Sequence, residues 1–265
     1  MASRTGDNAK DQGAARRRGN LISTLLIVVG VGLLLAAGGI FGYNTYNYHK
    51  IDENNERVAE YVKLSDDDDT PPNVDWAALK AMNPDVIGWL QVPGTIVNYP
   101  VLHTDNNEYY LDHAPDRSNS IGGSVFMDFE NTPPGMVDGQ TIVYGHHMRN
   151  GSQFKQIADM EDQKLFDGIK TVWYVTENGV YNMEPLFLYY LNENDTEVRK
   201  FKFDDTNALH DYLRSYLKVA KTRRADADAA IDRLSHVLTL STCNYYDGYG
   251  RTLLVCALKS EVGNQ

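Results

Sequence analysis

Cysteine is scarce in this sequence, with two residues among 265. That number excludes a disulfide scaffold and a zinc module built on two Cys-x-x-Cys pairs. An excess of positive charge is also missing, because the formal net charge is −11, whereas a protein that binds a phosphate backbone needs a basic face. The sequence is 42% hydrophobic, which is enough for a folded core in one ordinary domain or two small ones.

The charge is distributed unevenly, with a basic N-terminal segment followed by an acidic remainder. Residues 1–20 carry a net charge of +3, which leaves −14 for the rest. The next 23 residues, 21–43, contain no charge, and as a helix they extend about 34 Å, enough to cross a hydrocarbon core of about 30 Å. The arginines at 16–18 bias the preceding segment towards the cytoplasm. We therefore expect a cytoplasmic tail at 1–20, a transmembrane anchor at 21–43 and an extracellular remainder.

A cleaved secretory signal peptide is the alternative for the same segment. Residues 36–38, Ala-Ala-Gly, could serve as its cleavage site. A signal peptide has an apolar region of only about 7–15 residues, however. The greater apolar length favours an anchor that is retained.

Residues 44–74 are predicted to form a stalk or N-terminal helix followed by an acidic linker. Ile51, Val58 and Val62 recur at near-helical spacing. The segment 65–73 combines four adjacent aspartates with two prolines, which favours an extended linker. A calcium loop is the other interpretation of the aspartates, but the glycine turn and spaced ligands of an EF-hand are missing. We place the folded domain at 75–262.

From Asp75 onward the pattern is one of many short strands and few helices. Asp75 is placed to cap a short helix that ends at Met82, and Asn178-Gly179 favours a hairpin. Helices are predicted near 154–160 and 206–221. Strands are predicted at 86–92, 95–102, 124–126, 141–144, 171–176, 180–191, 236–242 and 251–258. This pattern indicates a mostly β fold with some α, built as a mixed barrel.

Three residues at the ends of predicted strands carry distinctive chemistry. Cys243 ends the strand Thr-Leu-Ser-Thr-Cys, His146 follows Tyr-Gly at another strand end, and Arg251 opens the last strand. A thiolate can attack a carbonyl carbon, an imidazole can transfer protons, and a guanidinium can stabilise a charged oxygen. Together these residues indicate acyl transfer through a cysteine.

Two other interpretations of these residues remain open from the sequence. A disulfide between Cys243 and Cys256 would leave no nucleophile. Cys256 lies in a run that is apolar on both strand faces, which instead predicts a buried, inert thiol. A metal site at His146 and His147 is disfavoured because adjacent strand residues point to opposite faces.

The motifs resemble those of class B sortases. Residues 239–243 (TLSTC) resemble the TLxTC nucleophile motif, and residues 144–148 (YGHHM) resemble the class B histidine segment. Arg251 lies eight residues after the cysteine, where the family carries an arginine. Segments at 83–95, 99–102, 106–113 and 123–129 are also similar to class B segments. The resemblance covers about 75–260.

This resemblance implies a closed sortase-type β-barrel with N-terminal helices and a helix before the last two strands. It implies transpeptidation with Cys243 as nucleophile and His146 as the proton-transfer residue. Arg251 corresponds to the arginine that binds substrate and steadies the oxyanion. More loosely, four residues fall where class B enzymes line the groove for the signal peptide: Tyr144, Ser241, Asn106 and Tyr110.

The implied reaction cleaves a C-terminal sorting signal, similar to NPxTx, in a surface protein. A thioester forms on the enzyme, and an amine of a cell-wall precursor then accepts the protein. No cofactor and no metal are expected; the implied partners are the signal peptide, the acceptor amine and the membrane. Three alternatives stay open: a pilin-polymerising sortase, a secreted cysteine hydrolase that uses water, and a non-catalytic membrane-anchored binding protein.

Overall fold

The computed structural model describes residues 7–192, 195–244 and 250–263, without the side chains of 7–22, 243 and 244. The chain divides into two units, residues 1–49 and residues 50–265. The helix α1 (Asp7–Ala59) contributes to both. From Ser23 it contains an unburied window of mean hydropathy 2.5. By length and composition this helix can serve as a membrane anchor or as a signal sequence.

The second unit is built around a closed barrel of eight strands. The ring order is β11-β10-β6-β5-β4-β3-β7-β8, and pairing of β8 with β11 closes it. Closure leaves these strands without a free edge. The described strands are β1 (Val62–Lys63), β2 (Asn73–Val74), β3 (Val86–Gln91), β4 (Asn98–Leu102), β5 (Phe126–Met127), β6 (Gln140–Tyr144), β7 (Val172–Thr176), β8 (Gly179–Asn192), β9 (Thr222–Arg223), β10 (Val237–Asn244) and β11 (Gly250–Leu258).

Short helices flank the barrel. They are α2 (Trp76–Met82), α3 (Lys155–Ala158), α4 (Gln163–Gly168), α5 (Thr206–Leu217), α6 (Ala227–Ile231) and α7 (Lys259–Val262), with 3₁₀ turns at Tyr109–Leu111 and Asp159–Glu161. The Asp75 carboxylate accepts a hydrogen bond from the Ala78 N–H at 3.0 Å, so the predicted cap and helix are confirmed. The longest of these helices, α5, precedes the last two barrel strands, as expected.

Strand β11 is buried on both of its faces. Leu254 packs into the barrel interior with Leu240 and Tyr174. Leu253 faces the other way and packs in the cluster that contains Leu213 of α5. Side chains alternate along a strand, so a strand covered by a helix on one side and by the core on the other must be apolar throughout. This explains the uninterrupted apolar run near the C-terminus.

The acidic segment 65–73, predicted to be a linker, forms most of the loop between β1 and β2 and ends at Asn73, the first residue of β2. These strands form an antiparallel pair, with Val62 opposite Val74. Both valines pack in the cluster that contains Trp89 of the barrel, and the Trp173 indole donates to the Asp68 carbonyl at 3.0 Å. Two-residue strands are too short to show a hydrophobic period, so the sequence pattern gave no signal for this pair.

Candidate active site

The three sequence motifs meet at one end of the barrel. Strands β6 and β10 run parallel, with Ser241 paired to Tyr144, and the Gly145 N–H donates to the Ser241 carbonyl at 3.1 Å. Strand β11 runs antiparallel to β10, and the Cα of Cys243 pairs with that of Arg251. Because parallel strands end at the same edge and an antiparallel neighbour begins there, the ends of β6 and β10 lie beside the start of β11.

A cavity of about 360 Å³ opens at this end of the barrel. A second cavity of about 80 Å³ shares four of its lining residues: Tyr144, Arg199, Ser241 and Arg251. The other residues that line the larger cavity are Asn107, Leu111, Phe126, Gly145, His146 and Thr242. The structure therefore brings together four residues predicted from the sequence: His146, Arg251, Tyr144 and Ser241. The Cys243 side chain lies outside the described part, and its backbone is two residues beyond Ser241.

His146 is held by hydrogen bonds to its ring and to its backbone. Its Nε2 lies 2.9 Å from the Leu111 carbonyl oxygen. A carbonyl oxygen only accepts, so Nε2 carries a proton in this arrangement and Nδ1 is the nitrogen left for proton exchange. The His146 N–H donates to Gln153 Oε1 at 2.8 Å. Gly145 is required before it, because an added Cβ would lie 2.7 Å from the buried Phe154 ring.

Arg251 presents a guanidinium to the cavity, and no carboxylate among the residues that the structure describes pairs with it. Its Cζ lies 6.0 Å from the centroid of the Tyr144 ring, an aromatic face that attracts a cation. Within the described ranges it forms no ion pair or side-chain hydrogen bond. This guanidinium is therefore available to an oxygen atom of a bound substrate.

A buried carboxylate underlies the cavity. Asp128 is fully buried and accepts from Arg199 Nε and Nη2 at 2.8 and 2.9 Å, from the Tyr144 hydroxyl at 2.7 Å and from Asn107 Nδ2 at 3.0 Å. Burial alone would raise the pKa of Asp128, but the hydrogen bonds from Arg199 and Tyr144 outweigh it and lower that pKa. Burial and the nearby Asp128 charge raise the pKa of Tyr144, so its hydroxyl remains a donor.

Two of the predicted groove residues lie elsewhere. Asn106 is exposed, and its carboxamide oxygen accepts the N–H groups of Glu108 and Tyr109. Tyr110 is 1% exposed, and its hydroxyl donates to Asp85 at 2.7 Å. Neither is among the residues that line the two cavities.

Sequence reasoning missed three polar residues at this site: Asn107, Asp128 and Arg199. Asp128 belongs to the segment 123–129, which is similar to a class B segment. That similarity could have identified Asp128 as a candidate site residue. Asn107 belongs to the segment 106–113, which also shows the resemblance. Arg199 follows a strand in an irregular stretch, where spacing gives no signal.

Cys256 is a free, fully buried cysteine. Its Cα pairs with that of Leu238, far along β10 from Cys243. Burial raises the pKa of the Cys256 thiol, which disfavours the reactive thiolate. The predicted burial of this thiol is confirmed, and the alternative disulfide with Cys243 is excluded because Cys256 is free.

Comparison with known proteins agrees with this geometry. A model of the Sortase domain family matches residues 90–259. The chain belongs to the sortase family. Sortases are cysteine transpeptidases, and the relatives place this sortase in class B. Sortase B of Listeria monocytogenes is 29% identical over 238 residues, which are 87% of this chain and 93% of the relative.

Solved structures of sortase B share the fold. The structure of Clostridium perfringens sortase B is 32% identical, with a TM-score of 0.62, and the match covers 68% of this sortase and 97% of that chain. A Staphylococcus aureus sortase B–substrate complex is 25% identical, with a TM-score of 0.61, over 69% of this sortase and 83% of that chain. The expected closed sortase barrel is therefore confirmed.

Proposed function

We propose that this sortase joins surface proteins to the cell wall by cutting an NPxTx-like C-terminal sorting signal at the threonine carbonyl. The observation that carries this proposal is the meeting of three motifs at one barrel end. His146 and Arg251 line the same cavity, and the Cα of Cys243 pairs with that of Arg251. These residues supply the nucleophile, the proton carrier and the cation that cysteine acyl transfer needs.

In the first half-reaction the Cys243 thiolate attacks the threonine carbonyl carbon. The carbonyl electrons move to the oxygen, and the Arg251 guanidinium stabilises the resulting negative charge. The intermediate then collapses, the C–N bond breaks, and imidazolium His146 gives its Nδ1 proton to the leaving amine. The surface protein remains on the enzyme as a thioester.

In the second half-reaction an amine attacks the thioester carbonyl. His146 accepts the amine proton at Nδ1, the C–S bond breaks, and the thiolate of Cys243 is regenerated with an amide as product. One peptide bond is exchanged for another, so the cycle needs no energy from a nucleotide. The hydrogen bond from Nε2 to the Leu111 carbonyl supports this role because it fixes the ring while Nδ1 exchanges the proton.

The cavity also supports peptide binding by two of the predicted groove residues. Ser241 is 2% exposed, and no described group forms a hydrogen bond with its Oγ. A buried hydroxyl without a partner is costly, and a peptide oxygen or N–H in the cavity would satisfy it. Tyr144 contributes an aromatic wall between the two cavities. We assign both residues to the signal-peptide groove; that a sortase B of this fold forms a complex with a substrate supports a substrate site in the fold.

We infer that the N-terminal helix is a retained anchor with the catalytic unit outside the cell. The exposed apolar helix and the basic segment before it support this orientation. Substrate and enzyme held at one membrane face meet at a raised effective concentration. Anchoring therefore increases the rate of the first half-reaction for membrane-tethered substrates.

Incubation with an NPxTx-type peptide tests the proposal. Mass spectrometry should detect a thioester on Cys243 in the wild-type protein and in Cys256→Ala, the matched control, but not in Cys243→Ala. An added amine should convert the thioester to an amide faster than water hydrolyses it. Hydrolysis unaffected by amines would instead show a hydrolase, and preference for a pilin lysine over cell-wall peptide amines would show pilin polymerisation.

A further inference from the structure

Three polar side chains that line the larger cavity donate to one buried carboxylate. Asn107, Tyr144 and Arg199 all reach Asp128, which also accepts the Glu130 N–H at 3.0 Å. An unpaired buried charge is costly, whereas one with all its acceptor positions filled holds its partners in a fixed geometry. Asp128 therefore fixes the positions of three groove side chains at once.

Arg199 uses only part of its guanidinium for this contact. Nε and Nη2 form a two-pronged bond to Asp128, and Nη2 also lies 2.6 Å from Glu130 Oε2. The guanidinium packs against two aromatic rings, 5.4 Å from the centroid of Phe129 and 5.8 Å from that of Phe201. No described residue accepts a hydrogen bond from Nη1. Since Arg199 lines both cavities, this nitrogen can donate into the groove.

The local charge indicates which kind of acceptor suits Nη1. One guanidinium here faces the two carboxylates of Asp128 and Glu130. The charge of Arg199 is therefore already compensated, so a further anion gains no net attraction from this guanidinium. A neutral carbonyl oxygen can still accept a charge-assisted hydrogen bond from Nη1.

We propose that Arg199 binds a main-chain carbonyl oxygen of the sorting-signal peptide and that Asp128 is the residue that positions it. This inference rests on the proposed function, because it assigns a further substrate contact in the same groove. Arg199 and Arg251 line the same two cavities as Tyr144 and have different roles. Arg199 binds the peptide in the ground state, and Arg251 stabilises the charge that develops during reaction.

The test compares Arg199→Lys with Arg214→Lys. Arg214 also bridges two carboxylates, those of Asp228 and Asp232, but it lines neither cavity, so it is a matched control. Lysine keeps the positive charge, but it cannot form the two-pronged bond to Asp128 and lacks the N–H groups that Nη1 offers to the cavity. For an NPxTx-type peptide, Arg199→Lys should raise KM about tenfold or more while kcat changes little, as loss of a ground-state contact requires. An unchanged KM in folded Arg199→Lys overturns the proposal.

A double variant keeps the test valid if Arg199→Lys does not fold. Asp128→Asn combined with Arg199→Gln removes both charges, so no lone buried charge remains. It should raise KM by about tenfold or more while kcat changes little, because it removes the Arg199 contact to the peptide. A folded double variant with wild-type KM contradicts the assigned roles.

Direct binding separates this inference from the proposed reaction. Calorimetric titration of Cys243→Ala with the same peptide should show affinity that falls about tenfold when Arg199→Lys is added. If peptide affinity falls with Arg199→Lys but the wild-type protein forms no thioester, the proposed function fails and the Arg199 contact stands. Affinity that falls steeply with added salt would indicate a carboxylate acceptor and contradict the neutral carbonyl.

Discussion

Removal of the Tyr144 hydroxyl tests the buried network beneath the groove. Tyr144→Phe keeps the ring that faces the Arg251 guanidinium and deletes only the donor that lies 2.7 Å from Asp128 Oδ2. Asp128 would retain its bonds to Arg199, Asn107 and the Glu130 N–H. The change therefore isolates one charge-assisted hydrogen bond.

The structure sets the size of the effect. A hydrogen bond to a charged partner contributes about 1.5–3 kcal/mol, so the free energy of unfolding should fall by about 2 kcal/mol. For a unit of this size about 1 kcal/mol corresponds to a shift of ~2–4 °C, so Tm should fall by ~4–8 °C. Tyr181→Phe is the control, because no described residue forms a hydrogen bond with that hydroxyl, and it should lose less than about 0.5 kcal/mol.

The effect should also depend on pH. Folding lowers the pKa of Asp128 below its ordinary 3.8, so its stabilisation is fully present above that value and is lost as pH falls through the folded-state pKa. Loss of the hydrogen bond from Tyr144 raises the folded-state pKa of Asp128. The variant therefore loses the stabilisation from the Asp128 carboxylate at a higher pH than the wild-type protein does. The difference in the free energy of unfolding between the variant and the wild-type protein should be constant near neutral pH. It should shrink in acid, once Asp128 is protonated.

Urea unfolding of the detergent-solubilised full-length protein, followed by tryptophan fluorescence from pH 7 down to about pH 2, below the lowered pKa of Asp128, measures both quantities. The slope of the free energy against urea should be unchanged, because the surface exposed on unfolding stays the same. A loss no greater than that of Tyr181→Phe, or a difference that stays constant in acid, would refute the reasoning about Asp128.

The remaining predictions concern the histidine segment and the buried thiol. Gly145→Ala should destabilise the protein by about 1–3 kcal/mol and reduce turnover, because the new Cβ would meet the Phe154 ring. Gly168→Ala, where the space is open, is the control, and equal effects in thermal unfolding and peptide assays would contradict the steric argument. Iodoacetamide should alkylate native protein at Cys243 and leave Cys256 unmodified until denaturant is added, as peptide mass mapping can show; rapid native labelling of Cys256 would contradict its burial.

The barrel strands were predictable where side chains alternate over several residues. The predicted strands near 86–92, 141–144 and 251–258 are present with boundaries shifted by one residue at most. The predicted hairpin joins β7 and β8, but its turn lies one residue earlier than Asn178-Gly179. Gly179 already belongs to β8, where it pairs with Thr176. Pairs as short as β1–β2 gave no pattern, since two residues cannot display a period.

The candidate site was predictable as far as local motifs reach. His146, Arg251 and Ser241 lie within recognisable segments, and strand topology then brings those segments together. The contact between Arg199 and Asp128 joins residues 71 positions apart, and only the barrel closure and the path of the chain before α5 create it. The same limit applies to Asn106 and Asn107, because the turn and not the sequence pattern decides which of the two adjacent amides lines the cavity.

The central claim is that Cys243, His146 and Arg251 perform one transpeptidation. The most direct measurement is single-turnover mass spectrometry of the intact protein with an NPxTx-type peptide. The claim predicts one thioester, on Cys243, whose rate of formation falls at least about 10²-fold in Arg251→Ala and severely in His146→Ala. A thioester that forms at the wild-type rate in either variant, or no thioester in the wild-type protein, would contradict it.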